Sequence, residues 1–250
     1  MLRFLAAAAF VVLTLIISIP VLIILWLFGF ICPHLRDLAA RQVTRFFFWG
    51  ILKISGVEVT YIGTEKIPKK QGVIYVSNHR GMFDIIAAYN KFPGITGYLA
   101  KKELKKIPLF SLWMTFVHCI FVDRKDHTRA AISLQLGAEE LKDGISCYVF
   151  PEGTRNKGDE LSLLPFKGGA FKIAEYSRCP IVPIAITGTR EILETQFPRI
   201  RPGRVIVEFC DPIDTTKVEC GQFRAVSDQC EQVILEALRR NHQTYSKEGE

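Results

Sequence analysis

Hydrophobic and polar positions divide the chain into three stretches. Between residues 4 and 35 there is no Asp, Glu, Lys or Arg, and Leu, Ile, Val, Phe and Ala dominate. A helix of about 20 residues crosses the hydrocarbon core of a bilayer, so this stretch has length to spare. Pro20 falls in its middle and predicts a kink or a break into two shorter helices. A cleavable signal ends its apolar core in small residues, whereas the alanines here, residues 6–9, come first, which favours a retained membrane anchor. A single span and a re-entrant hairpin both fit the pattern. Residues 35–55 are amphipathic and aromatic, with Phe46, Phe47, Phe48 and Trp49 close to Arg41 and Arg45. That pattern predicts a helix in the membrane interface, rings in the acyl boundary and arginines at anionic headgroups, with an ordinary core-packing helix as the alternative.

The third stretch alternates. Apolar, β-branched runs at 72–77, 95–99, 116–122, 145–150, 180–186 and 203–209 read as strands. Residues 84–92, 129–143 and 167–178 read as helices, the second ending near Gly144. The expected fold class is therefore α/β, a mixed sheet covered by helices and preceded by an N-terminal hydrophobic, membrane-anchoring helical segment. A body of about 200 residues buries one core, so the expected division is an anchor and interfacial helix over 1–55 and a single catalytic domain over 56–250. Near the end, Phe223, Val226, Cys230, Val233, Ile234 and Leu238 repeat at helical spacing and predict a docking helix. The polar tail after Asn241 is expected to fray.

Charge refines this picture. Arg36, Arg41, Arg45 and Lys53 follow the apolar segment, against Arg3 and the amino terminus before it, which predicts a body on the cytoplasmic face of a cell membrane. A formal net charge of +7 suits an anionic membrane surface and anionic acyl donors. Lys101, Lys102, Lys105 and Lys106 concentrate that charge, although a merely solvated helix face accounts for it too. No recognised nucleic-acid motif accompanies the charge, so nucleic acid is not an expected partner. Seven cysteines, an odd number without C-x-x-C pairs, read as free thiols in a reducing compartment.

Two short segments carry the candidate chemistry. Residues 77–84, Ser-Asn-His-Arg-Gly-Met-Phe-Asp, lie between a predicted strand and a predicted helix. His79 and Asp84 are five apart, about 140° around a continuous helix, so they cooperate only if the chain turns and places Asp84 near the helix start. A carboxylate orienting an imidazole is the logic of a general base, while a structural histidine beside a capping aspartate is the plainer alternative. No third ligand at a recognisable spacing supports a metal site. Residues 150–155, Phe-Pro-Glu-Gly-Thr-Arg, form a rigid turn after a strand, presenting backbone N–H groups, a hydroxyl and a forked cation that suit a phosphate ester. A surface turn with an incidental arginine competes with that reading.

Four blocks in order resemble the glycerolipid acyltransferase family over residues 72–190: Asn78-His79 with Asp84; residues 100–108, closing at Phe121-Val122-Asp123-Arg124; residues 150–155 with 165–169; and Ile181-Val182-Pro183-Ile184 leading to Gly188-Thr189. The resemblance implies a membrane-bound enzyme moving a fatty acyl group from acyl-CoA or acyl carrier protein to the free hydroxyl of 1-acyl-glycerol-3-phosphate, giving phosphatidic acid. It implies His79 as general base, Asp84 as its orienter, and direct attack on the thioester without a covalent acyl-enzyme. By the same resemblance Lys101 and Arg155 hold the acceptor phosphate. Glu152, Gly153 and Thr154 shape that pocket, Arg124 binds or supports it, and Asn78 positions a neighbouring group. No cofactor is implied beyond the acyl-CoA or acyl carrier protein co-substrate, and the partners are a membrane lipid acceptor, the donor and the anionic surface.

The chain departs from the family pattern at two positions. Gly81 stands where the family commonly has serine, and Ser111 where it often has glycine. Neither removes an acid, a base or a phosphate ligand, but the lost hydroxyl at 81 leaves acceptor preference open. Another lysophospholipid or an acylated amino-acid lipid is an alternative acceptor. A membrane esterase could use a similar His-Asp pair, but the chain has no G-x-S-x-G elbow to support it, and a non-catalytic lipid-binding protein does not need His79, Asp84, Glu152 and Arg155 together.

Overall fold

The structure, a computed structural model, describes residues 1–247. Seven strands form one sheet: β1 (Val57–Ile62), β2 (Ile74–Ser77), β3 (Thr96–Lys101), β4 (Ile120–Val122), β5 (Ser146–Val149), β6 (Ile181–Thr187) and β7 (Gly203–Phe209), ordered β1-β7-β6-β2-β5-β3-β4. The sheet is mixed because β6 and β7 run antiparallel while every other pairing is parallel. Central strands are apolar without alternation because both faces are covered. Along β2, Tyr75 enters one core with Tyr148, Val182 and Phe209, while Ile74 and Val76 enter the opposite core with Val149 and Ile181.

The first of those cores is closed by α4 (Phe83–Tyr89), the second by α6 (His127–Lys142), α7 (Gly169–Ser177) and α9 (Phe223–Lys247). The helix α9 buries Phe223, Val226, Cys230, Ile234 and Leu238 on one face, as its spacing predicts. It does not fray after Asn241; helix continues to Lys247, and Tyr245 packs beside Gly188. Residues 248–250 of that expected tail lie outside the described residues.

Three elements differ from the pattern's forecast. The run around 116–122 contains the end of α5 (Phe110–Phe116), a turn with His118 at φ 59°, and only then β4. A short continuous apolar run does not by its period separate helix from strand, and here Met114 and Val117 are buried on one side of a helical turn. The strand β1, Val-Glu-Val-Thr-Tyr-Ile, is an edge strand beside β7 and is not among the predicted strands. The four-residue helix α8 (Arg190–Leu193) is not among the predicted helices.

At the N-terminus, α1 (Leu2–Ile17) and α2 (Ile19–Gly29) meet at Ser18 with a bend of 46°, Pro20 lying in the first turn of α2 where it needs no N–H partner. Among the described residues no single helix is long and apolar enough to cross a membrane; this bent pair meets the criterion only jointly. Its outer surface leaves Val12, Ile16, Ile23, Ile24, Leu27 and Phe30 exposed. The following helix, α3 (Pro33–Ser55), has two faces: Ile51 and Leu52 join the core of the α/β body, whereas Phe46 and Trp49 are exposed. Its arginines have partners within the protein. Arg41 donates to the Phe92 carbonyl and Arg45 to the Asn90 carbonyl, both at 2.7 Å. These carbonyls follow α4, where helix C-termini leave acceptors without intrahelical donors. All seven cysteines are free thiols.

Candidate active site

Topology assembles the site. Strands β6, β2, β5, β3 and β4 are mutually parallel neighbours, so their C-terminal ends share one sheet edge. Residue 79 follows β2, 150–155 follow β5, Lys101 ends β3, Arg124 follows β4 and Thr189 follows β6. Open parallel sheets place ligands along such an edge.

At its centre His79 Nδ1 lies 2.8 Å from Asp84 Oδ2, with Asp84 fully buried in the first turn of α4. The chain does turn between them: Asp84 Oδ2 also accepts the N–H of Arg80 at 2.6 Å and of Gly81 at 2.8 Å. Its other oxygen accepts the Thr189 hydroxyl. An ionised carboxylate only accepts, so a neutral His79 facing it would donate from Nδ1 and present the lone pair of Nε2. The ring stacks on Phe150, centroids 4.1 Å apart. The backbone of His79 is held on both sides by the 150s loop, its N–H donating to Glu152 Oε1 at 2.7 Å and its carbonyl accepting from Asn156 N–H at 2.8 Å.

Glu152 is buried and its second oxygen accepts the Leu164 N–H at 2.9 Å. It thus bridges two loops instead of facing the groove. Burial pushes its carboxyl up from the ordinary value despite the two N–H donors and the nearby His79 and Arg80. Gly153 has φ +70°, a left-handed conformation that glycine adopts without a Cβ penalty, and its carbonyl accepts from Arg124 Nη1. Burial lowers the Arg124 guanidinium, with Glu103 opposing that shift.

The groove itself is about 580 Å³ and is lined by His79, Lys101, Arg124, Gly153, Thr154 and Arg155. The same groove continues along Ile85, Tyr98, Leu99, Leu104, Phe110, Trp113, Met114 and Val117, and along Thr14, Leu15, Val43, Phe47 and Phe48 from the N-terminal helices. One space therefore offers cations, an oriented imidazole and a long apolar wall. Asn78 is placed elsewhere: its amide exchanges two 2.9 Å hydrogen bonds with the backbone of Ile186, tying β2 to β6 behind the site. Three contributors carry no local signal of their role: Thr189, at the end of the fourth block; Phe150, where the strand meets the turn; and Glu194, which follows α8, accepts Met82 N–H at 2.7 Å and lies 3.7 Å from Arg155. Among the described residues no group of three or more His, Cys, Asp or Glu is placed to hold a metal ion. A second cavity, about 610 Å³ between α7 and α9, contains none of the candidate residues.

Comparison with known proteins agrees with this α/β architecture. The 1-acyl-sn-glycerophosphate (LPA) acyltransferase PlsC of Thermotoga maritima shares the fold, with a TM-score of 0.74 at 24% identity over 96% of this chain and 98% of that one. The Acyltransferase family model matches residues 58–187. The 1-acyl-sn-glycerol-3-phosphate acyltransferase of Saccharomyces cerevisiae is 34% identical over 203 residues, 79% of this chain and 67% of that protein. The Escherichia coli enzyme of the same name is 29% identical over 227 residues, 90% of this chain and 91% of that protein. The chain belongs to the acyltransferase family.

Proposed function

We propose that the chain is a 1-acylglycerol-3-phosphate O-acyltransferase, taking the acyl group from acyl-CoA or acyl carrier protein and producing phosphatidic acid. The observation that carries this reading is the convergence, in one groove, of His79 backed by buried Asp84, the cations Lys101, Arg124 and Arg155, and an apolar wall. The names of the yeast and bacterial relatives point to the same acceptor.

In the mechanism, the acceptor phosphate is held by Lys101 and Arg155, with the Thr154 hydroxyl and the 150s turn beside it. Its free hydroxyl approaches His79 Nε2, which removes the proton as oxygen attacks the thioester carbonyl. Asp84 stabilises the imidazolium, and the Arg80, Gly81 and Thr189 donors keep that carboxylate in place. Collapse of the tetrahedral intermediate expels the thiolate, which takes up the proton from His79. Arg124 supports the turn through Gly153, Glu152 fixes the His79 backbone, and Asn78 braces β2 against β6.

The apolar wall suits acyl chains, and its continuity with α1 and α3 suits delivery of a lipid acceptor from a membrane on which α1, α2, Phe46 and Trp49 rest. In this reading the protein is a membrane-bound enzyme with its catalytic domain on the cytoplasmic face. The test is transfer of labelled acyl groups by purified protein in mixed micelles, with acyl-CoA and separately acyl carrier protein as donor. Lysophosphatidic acid is compared with monoacylglycerol and other lysophospholipids. Transfer selective for lysophosphatidic acid supports the proposal; transfer to another acceptor alone overturns the specificity, and none with either donor overturns the activity.

A further inference from the structure

Gly81 and Glu194 are complementary. A Cβ built on Gly81 would lie 2.4 Å from Glu194 Oε2 and 2.8 Å from its carboxyl carbon. The carboxylate thus fills the volume that a side chain at 81 would take. From there Oε1 accepts the Met82 N–H at 2.7 Å and faces Arg155 Nη1 at 3.7 Å, while Oε2 is buried without a hydrogen-bond partner. The Glu194 side chain is 17% exposed and that of Arg155 44%, so the carboxylate is the fixed partner and the guanidinium the adaptable one. Five residues earlier, Thr189 holds Asp84, so a single short segment around α8 braces both halves of the site.

We propose that Glu194 is a positioning residue: lodged in the space opened by Gly81, it orients Arg155 toward the acceptor phosphate and thereby sets affinity for phosphorylated acceptors. The inference rests on Arg155 binding that phosphate. A guanidinium leaning on one carboxylate loses fewer rotamers when the phosphate arrives, and its remaining N–H groups stay available for a forked contact. The Met82 contact ties the same carboxylate to the loop that carries His79, adding a link between base and cation to those that Glu152 and Asn156 make with the His79 backbone.

Steady-state kinetics with lysophosphatidic acid separate this role from general support. Glu194→Gln keeps an acceptor oxygen for Met82 N–H but removes the charge facing Arg155. It is expected to raise KM about fivefold, with kcat falling less, the scale of a partly exposed ion pair. In an Arg155→Ala background the same substitution is expected to leave KM unchanged. The close approach has its own readout: Gly81→Ser lowers the melting temperature alone, and by a smaller amount when Glu194→Ala has vacated the space. An unchanged KM in Glu194→Gln, or a rise that persists without Arg155, overturns the inference while leaving the function reading intact. A wild type active only on unphosphorylated acceptors overturns both.

Discussion

Asp84 is the residue whose surroundings say most about the site. Both of its oxygens are engaged: two backbone N–H groups and His79 converge on one, and the Thr189 hydroxyl on the other. Asp84→Asn would place an amide N–H against donors or against Nδ1, disturbing the tautomer. The expected outcome is a loss of kcat of about 10²–10⁴-fold with retained membrane binding, measured by acyl transfer and vesicle flotation. Glu152→Ala is expected to cost about 2–4 kcal/mol of stability, because it leaves the His79 and Leu164 N–H groups without acceptors inside the protein; thermal unfolding checks it. At this scale the sequence was readable where partners are close along the chain, as His79 and Asp84 are. Thr189 and Glu194 reach the site across more than a hundred residues, through strand order that no local spacing encodes.

Among the elements, the joint between α5, α3 and α6 is held by His118. Its Nε2 lies 3.0 Å from Asp37 of α3 and its Nδ1 3.4 Å from Glu140 of α6. Burial lowers the imidazole, but the hydrogen bonds and charges of Glu140 and Asp37 outweigh it, so the net shift is upward from 6.5. A histidine raised in the folded state contributes stability fully below the unfolded value, and the contribution is lost as pH rises through the folded value. Thermal stability is therefore expected to fall as pH rises above about 6.5 and through the folded value, and His118→Asn, which tolerates the positive φ, is expected to flatten that slope. The alternation of strands and helices was legible because buried parallel strands are apolar throughout. The boundary at 116–122 was not, since the end of α5 and the strand β4 lie in one largely apolar run and are parted only by the turn at His118.

For the molecule as a whole, α1 and α3 contribute both to the apolar groove, through Leu15, Phe47 and Phe48, and to the exposed apolar surface, through Val12, Ile16, Phe46 and Trp49. The sequence showed that residues 4–35 carry no Asp, Glu, Lys or Arg, and it pointed Arg41 and Arg45 at headgroups without revealing that each also donates to a carbonyl behind α4. Long-range acceptors of that kind are invisible to a helical wheel. In the proposed function, attachment to a bilayer would rest on the exposed faces of α1, α2 and α3. Replacing Phe46 and Trp49, both exposed, with glutamate is expected to reduce co-flotation with anionic vesicles several-fold without lowering the melting temperature. The central claim is that His79 acts as base on an acceptor held by its phosphate. The measurement that tests it most directly is single-turnover transfer from labelled acyl-CoA to lysophosphatidic acid by wild type and His79→Ala, with folding verified by thermal melting. The account predicts a folded variant with transfer reduced at least about a thousandfold; a folded His79→Ala protein that transfers at the wild-type rate would contradict it.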